Sequence, residues 1–125
     1  MPIRKILVVD DSPTERHFLS SILTKAGYEV AGVESGERAI ELARTLKPDL
    51  ILMDIVMPGL NGFQATRMLA RAPDTAGIPI VICTTKGQET DKIWGLRQGA
   101  RDYLVKPIKP DELLALIQRL DVETP

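Results

Sequence analysis

The chain has 125 residues, of which 44% are hydrophobic and 26% charged, and its formal net charge is −1. This length fits one domain with a substantial core, and the ordinary apolar content excludes a mainly disordered chain. The charge gives no basic surface for nucleic acid, and no apolar run approaches the roughly 20 residues that span a bilayer. A single cysteine, Cys83, excludes an internal disulfide, and no secretory leader is recognisable. We therefore expect one cytoplasmic domain over residues 1–125, without nucleic acid binding or membrane insertion.

Short apolar runs alternate with helical patterns along the chain. The runs are continuous rather than alternating, which is typical of parallel strands that are covered on both faces. In chain order, we predict strands at Ile6–Val9, Glu29–Val33, Leu50–Met53, Ile80–Cys83 and Tyr103–Val105.

Five stretches between and after these runs have apolar residues at helical spacing. Ser12 is the predicted N-cap of the first helix, with Glu15 at the capping-box position, and Asn61 is the predicted N-cap of the third. The predicted apolar stripes are Phe18, Leu19, Ile22, Leu23 and Ala26; Ala39, Ile40, Ala43 and Leu46; Ala65, Met68 and Leu69; Ile93, Leu96 and Ala100; and Leu113, Leu114, Ile117 and Leu120.

This strict alternation predicts an α/β fold, a doubly wound (βα)5 unit with a parallel sheet, helices on both faces and right-handed crossovers. In such sheets the functional crevice lies at the carboxyl ends of the strands. The residues that directly follow or end the predicted strands are therefore the candidate site. They are Asp10 and Asp11, Asp54, Thr84 and Thr85, and Lys106.

Three carboxylates at one edge repel one another, by about 1–4 kcal/mol for each close pair near a protein surface. The cluster therefore favours a bound divalent cation, and a few carboxylates with remaining waters suit Mg²⁺ better than Ca²⁺. A cation and the ammonium of Lys106 together attract phosphate oxygens, and Thr84 adds a neutral donor. One carboxylate can then act as the nucleophile toward phosphorus and form an aspartyl phosphate.

These residues, in this order, resemble the CheY-like receiver domains of two-component response regulators along essentially the whole chain. The resemblance is carried by the Asp10-Asp11 pair, by Asp54 inside the segment 53–62, by Thr84, and by Lys106 followed by Pro107. It implies the flavodoxin-like strand order 2-1-3-4-5 and a cis peptide bond before Pro107. It also implies a single receiver domain without an attached output domain.

The resemblance further implies a role for each site residue. Asp54 is the phosphoacceptor, and the phosphoryl donor is a sensor histidine kinase. Asp11 and Asp54 hold Mg²⁺ through their side chains, Asp10 acts partly through water, and Val56 contributes its backbone carbonyl. The resemblance also implies that Lys106 pairs with the phosphoryl group and that Thr84 donates a hydrogen bond to that group. Tyr103 would turn inward in response to phosphorylation.

Phosphorylation adds about −1.5 to −2 charges and three strong acceptors, so it can bias a two-state surface. We expect the surface of the fourth helix, fifth strand and fifth helix to change and to bind a downstream target protein. Trp94 falls beside the predicted stripe of the fourth helix and is a candidate for that partner surface. We expect a monomer or weak dimer that is not an enzyme beyond its own phosphotransfer and dephosphorylation.

Three segments, Asp11–Glu15, Met57–Arg67 and Thr84–Lys92, resemble stand-alone regulators of type IV pilus twitching motility. Within this interpretation, a phosphate sink that drains a shared kinase is an alternative to an effector. A flavodoxin-like small-molecule binder is another, but it needs a phosphate-cradling loop where Asp10 and Asp11 stand. A small phosphatase needs covering insertions, and a DNA-binding regulator needs a further domain.

Overall fold

In this computed structural model, which describes residues 2–123, five strands alternate with five helices. Residues 1, 124 and 125 of the expected domain lie outside the described residues. None of the helices in the described part is long and apolar enough to cross a membrane. The elements are β1 (Lys5–Val9), α1 (Pro13–Lys25), β2 (Glu29–Val33), α2 (Gly36–Leu46), β3 (Leu50–Met53), α3 (Gly62–Arg71), β4 (Ile80–Thr84), α4 (Glu89–Gln98), β5 (Asp102–Val105) and α5 (Pro110–Glu123).

The strands form one parallel sheet in the order β2-β1-β3-β4-β5, which confirms the predicted fold class. Val9 at the end of β1 lies opposite Val33 in β2 and Met53 in β3. Since all strands run in the same direction, their carboxyl ends meet at one edge of the sheet. The switch in strand order falls between β1 and β3, and this is where ligands bind in open α/β sheets.

The β1 strand shows how the sheet divides the core into two layers. Ile6 and Val8 belong to a cluster that contains α1 and α5 residues, whereas Leu7 and Val9 pack with residues of α2 and α3. Successive strand side chains point to opposite faces, so a strand covered on both sides is apolar throughout. Full burial of one such side chain contributes about 1.5–3 kcal/mol.

The predicted helix starts are confirmed at two caps. Ser12 precedes α1 and its side chain accepts a hydrogen bond from the amide of Glu15 at 3.3 Å. Asn61 precedes α3 and forms a complete capping box with Gln64. The expected box at α1 is only half formed, because the Glu15 carboxylate lies instead 3.8 Å from the ammonium of Lys106.

Several members of the predicted apolar stripes do not face the core. A helix turns by about 100° per residue, so the neighbour of a buried residue in sequence already points sideways. Leu19 and Leu23 define the inner face of α1, and Leu69 lies on that of α3. The stripes were therefore wrong at the exposed residues Phe18 (41%), Ala26, Met68 (50%), Ile93 (45%) and Leu96 (49%).

The inner face of α4 is made of Gly95 and Gln98 rather than of large apolar residues. A Cβ atom at Gly95 would lie 2.7 Å from Ile82 and 3.1 Å from the ring of Tyr103. The helix therefore packs against β4 and β5 through a bare backbone. Ala100 is buried as predicted, although it lies beyond the end of the helix.

Candidate functional site

Four of the predicted site residues meet at the carboxyl edge of the sheet because of strand pairing. Asp10 follows β1 and Asp54 follows β3. The amide of Asp54 donates a hydrogen bond to the carbonyl of Val9 at 2.9 Å. Thr84 ends β4, and Lys106 follows β5 with its amide bonded to the Thr84 carbonyl at 2.8 Å. Residues far apart in the sequence thus share one small site.

Lys106 is the central cation of this site. Its Nζ lies 2.7 Å from Asp10 Oδ2, 3.5 Å from Asp54 Oδ2 and 3.8 Å from a Glu15 carboxylate oxygen. Burial by itself lowers the pKa of Lys106, but the hydrogen bond to Asp10 and the surrounding negative charges raise it more, so the net pKa lies above the ordinary value. The peptide bond to Pro107 is cis, as the resemblance to receiver domains implied.

Asp54 is a buried carboxylate with a raised pKa. Burial is the largest cause, and the charge of Asp10 raises the pKa further. Three groups act in the other direction: the charge of Lys106, the amide of Ile55 and the hydroxyl of Thr84. The Ile55 amide donates to Asp54 Oδ1 at 2.8 Å, so this oxygen has a fixed orientation.

The carboxylates of Asp10, Asp11 and Asp54 form a cluster that fits a hard divalent cation. One oxygen from each lies within 4.8 Å of the others. Oxygens on opposite sides of an octahedral Mg²⁺ are roughly 4.2 Å apart, so small side-chain movements suffice for common coordination. Asp10 and Asp54 are buried while Asp11 is exposed, so solvent reaches the cluster from one side.

Thr84 and Tyr103 lie on the α4 side of the site. Thr84 is fully buried, and its neighbour Thr85 is exposed. The hydroxyl of Tyr103 donates to the Lys86 carbonyl at 2.5 Å, and its ring packs with Ile82. The ring of Tyr103 therefore already lies inward, whereas the resemblance implied an inward turn in response to phosphorylation. Burial, followed by nearby carboxylates, raises the pKa of Tyr103 to about 12.

Two further predicted residues, neither of them charged, are exposed to solvent. Val56 follows Asp54 by two residues and is 55% exposed. Trp94 lies on α4 and is 48% exposed, close to the half exposure that its position indicated. Together with Ile93, Leu96 and Val105 it adds to the exposed apolar side chains of α4 and β5.

The sequence did not identify two residues of α1 that support the site. Glu15 was expected only as a capping residue, yet it is a further carboxylate near Lys106. Arg16 donates from its guanidinium to the backbone carbonyl of Asp10 at 2.7 Å. Their position in the sequence could have identified both residues. The first turn of a helix that follows a strand lies beside the end of that strand, so residues of that turn are near the site.

The structure requires glycine at positions 59 and 62 for two different reasons. Gly59 lies in the bend before α3 and has a φ of +74°, a left-handed conformation that favours glycine. Gly62 instead begins α3, where a Cβ atom would lie 2.0 Å from the backbone oxygen of Asp54. Only glycine permits this approach of α3 to the segment that carries Asp54.

Comparison with known families gives a match over most of the chain. Residues 6–118 match the family described as the response regulator receiver domain. Among curated proteins, the chain is 58% identical over 113 residues to Protein PilH of Pseudomonas aeruginosa. That alignment covers 90% of this chain and 93% of the relative.

Solved structures agree with this match. Chemotaxis protein CheY4 of Vibrio cholerae superposes with a TM-score of 0.88 at 35% identity, over 94% of this chain and 98% of the other. The receiver domain of the sensor histidine kinase PA1611 from Pseudomonas aeruginosa superposes with a TM-score of 0.86 at 34% identity, over 93% and 95% of the two chains. That receiver domain was solved with a magnesium ion coordinated in its active site cleft.

Proposed function

Because the chain belongs to the response regulator receiver domain family, we propose that it is a stand-alone response regulator that accepts a phosphoryl group from a sensor histidine kinase on Asp54. The observation that carries this proposal is the meeting of Asp10, Asp54 and Lys106 at one edge of the sheet. The similarity to Protein PilH, along nearly all of that relative, supports a role in the control of pilus motility.

The carboxylates of Asp10, Asp11 and Asp54 and the backbone carbonyl of Val56 are the groups that would hold Mg²⁺. The metal-bound receiver domain of PA1611 and the all-oxygen donor set support this assignment. When bound, Mg²⁺ supplies positive charge that stabilises the oxygens of the transferring phosphoryl group.

The protein's own residues account for the remaining chemistry. A carboxylate oxygen of Asp54 attacks phosphorus, the oxygen–phosphorus bond forms, and the phosphorus–nitrogen bond of a phosphohistidine breaks with its electron pair going to the imidazole nitrogen. Lys106 balances the negative charge of the phosphoryl oxygens, and Thr84 donates a hydrogen bond to one of them. Attack requires ionised Asp54, and the charge of Lys106 favours that form.

The output would leave through protein–protein contact. Receiver domains of response regulators are signalling proteins, and we propose that this one catalyses only its own phosphorylation and dephosphorylation. The half-exposed Trp94 on α4 is our candidate contact for a downstream target. A new hydrogen bond from Thr84 would move the start of the β4–α4 segment, and Tyr103 would hold that segment through the Lys86 carbonyl.

The test is phosphorylation by a small donor. Incubation with Mg²⁺ and acetyl phosphate is expected to add one phosphoryl group by intact mass, and removal of Mg²⁺ with a chelator should abolish the gain. Asp54→Ala should gain none, while Asp74→Ala, at an exposed carboxylate that pairs with Arg44, should behave as the wild type. A folded wild-type protein that gains no phosphoryl group would contradict the proposed function.

A further inference from the structure

The segment between β3 and α3 carries both Asp54 and the proposed carbonyl ligand Val56, so its conformation sets the geometry of the site. Its two ends are fixed locally. The Gly62 amide donates to the Ile55 carbonyl at 3.0 Å, and Asn61 closes the capping box of α3. Between these ends, residues 56, 58 and 59 are exposed, whereas Met57 is buried in the cluster with α2 and α3 and Leu60 packs partly against it.

Glu37, in the first turn of α2, contacts this middle part. Its carboxylate accepts a hydrogen bond from the Leu60 amide, with 3.2 Å between Oε2 and N. The same oxygen lies only 2.9 Å from where a Cβ atom of Gly59 would stand, so the carboxylate packs directly against the bare backbone of Gly59. One side chain therefore holds two consecutive residues of the segment.

The backbone at the start of α2 makes an independent second contact with the same place. Gly36 is buried, and a Cβ atom there would lie 3.0 Å from the Leu60 carbonyl and 3.1 Å from the Cβ of Ala65. The start of α2 is therefore packed against the segment, and Glu37 is held at a fixed distance from Leu60. This makes the hydrogen bond a restraint on the segment rather than a passing surface contact.

We propose that Glu37 is a positioning residue that restrains residues 56–60 and so keeps the Val56 carbonyl in place for the metal. This inference rests on the proposed function, because it assigns Glu37 a role toward Mg²⁺. Leu60 is only four residues from Val56, and without the restraint more conformations of the segment must be given up when the metal binds. A role limited to stabilising the start of α2 would change the free energy of unfolding but not the affinity for Mg²⁺.

The experiment compares three variants with the wild type. Glu37→Ala removes the acceptor, and Glu37→Gln keeps an acceptor oxygen without the charge. Glu41→Ala removes an exposed carboxylate of the same helix that pairs with Arg38. Affinity for Mg²⁺ alone is measured by calorimetry, and exchange of the Leu60 amide is measured by NMR in metal-free protein. Thermal unfolding without metal shows that each variant is folded.

We expect Glu37→Ala to weaken Mg²⁺ binding about threefold to tenfold, the effect of losing one hydrogen bond that orders a binding segment. Its Leu60 amide should exchange faster than in the wild type, and its phosphorylation rate should recover at saturating Mg²⁺. Glu37→Gln and Glu41→Ala should stay within about twofold of the wild-type affinity, which is the lower end of such an effect.

Two results would overturn the inference: unchanged Mg²⁺ affinity in Glu37→Ala, or an equal loss in Glu41→Ala, which would indicate a general charge effect. The proposed function fails separately, if the wild type itself neither binds Mg²⁺ nor becomes phosphorylated. In that case the Leu60 amide exchange still decides whether Glu37 restrains the segment. Unchanged exchange in Glu37→Ala would exclude the restraint.

Discussion

At the scale of single residues, the site is a compromise between function and stability. Asp10 and Asp54 are both buried at the same edge, and the single ammonium of Lys106 lies close to both of them. The ammonium of Lys106 carries one positive charge for two buried carboxylates, and burial of carboxylate charge costs free energy. This cost is the reason why the pKa of Asp54 is raised, with burial as the larger cause and the charge of Asp10 as the second.

Replacing Asp54 with a neutral side chain of similar size is therefore expected to stabilise the metal-free protein. The folded state raises the pKa of Asp54, mainly through burial, so folding favours its protonated form. The contribution of the Asp54 carboxyl to the free energy of unfolding is present below its pKa in the unfolded chain, about 3.9. It is lost as the pH rises through its pKa in the folded protein. Asp54→Asn should thus raise the free energy of unfolding at neutral pH by about 1 kcal/mol or more, the size of one close charge repulsion.

Urea unfolding without Mg²⁺ at neutral pH and at about pH 4 measures this effect, since an ordinary carboxyl titrates in that range. The gain should shrink at the lower pH. Asp74→Asn serves as the control, because its exposed pairing with Arg44 is worth little and should change stability by less than about 0.5 kcal/mol. Destabilisation by Asp54→Asn at neutral pH would contradict the prediction.

At the scale of elements, the site depends on how closely α3 approaches the end of β3. Gly62 begins α3 directly against the backbone oxygen of Asp54, and that oxygen belongs to the main chain, so it cannot rotate away. The alternation of strands and helices in the sequence predicted both elements but not the distance between them. Gly95 makes a similar approach on α4, and this is why the stripe predicted there from Ile93 and Leu96 was wrong.

Gly62→Ala is expected to displace α3 or the segment that carries Asp54. The added Cβ would overlap the Asp54 carbonyl, and overpacking of this kind costs about 1–3 kcal/mol or more. Gly77→Ala is the matched control, because nothing lies within 4 Å of the position that its Cβ would take. Denaturant unfolding of both variants checks the difference. Equal stabilities would mean that the approach at Gly62 relaxes without cost.

At the scale of the whole molecule, the central strands are shielded by a layer of helices on each side. Cys83 in β4 is 2% exposed, and it lies in the cluster shared with α1 and α5. Burial is the main cause that raises the pKa of its thiol to about 12. Both access and ionisation therefore oppose reaction at this cysteine while the domain is folded.

Cys83 is thus expected to report on opening of the whole domain. A thiol-reactive reagent at mildly alkaline pH should label the native protein far more slowly than the urea-unfolded protein, and the slow rate should follow the stability of the domain. Mg²⁺ should slow labelling further if it binds only the folded state. Rapid labelling of the native protein would show that β4 opens locally.

The sequence by itself determined the order of the elements, the parallel sheet and the edge where Asp10, Asp11, Asp54, Thr84 and Lys106 meet. These follow from apolar runs and from residues placed next to them, which are local properties of the chain. The N-caps Ser12 and Asn61 were predictable for the same reason.

Only the tertiary structure decided which side of each helix faces the core and which side chains join the site from a distance. The outward position of Phe18 and Ile93, the contact of Glu15 with Lys106, and the hydrogen bond from Leu60 to Glu37 all depend on how elements pack against one another. A rotation of a helix by one residue moves a side chain by about 100°, and local periodicity does not fix an angle that finely. Packing against the sheet does fix the rotation of each helix. The close approach at Gly62 in α3 and at Gly95 in α4 leaves each of these helices few possible positions.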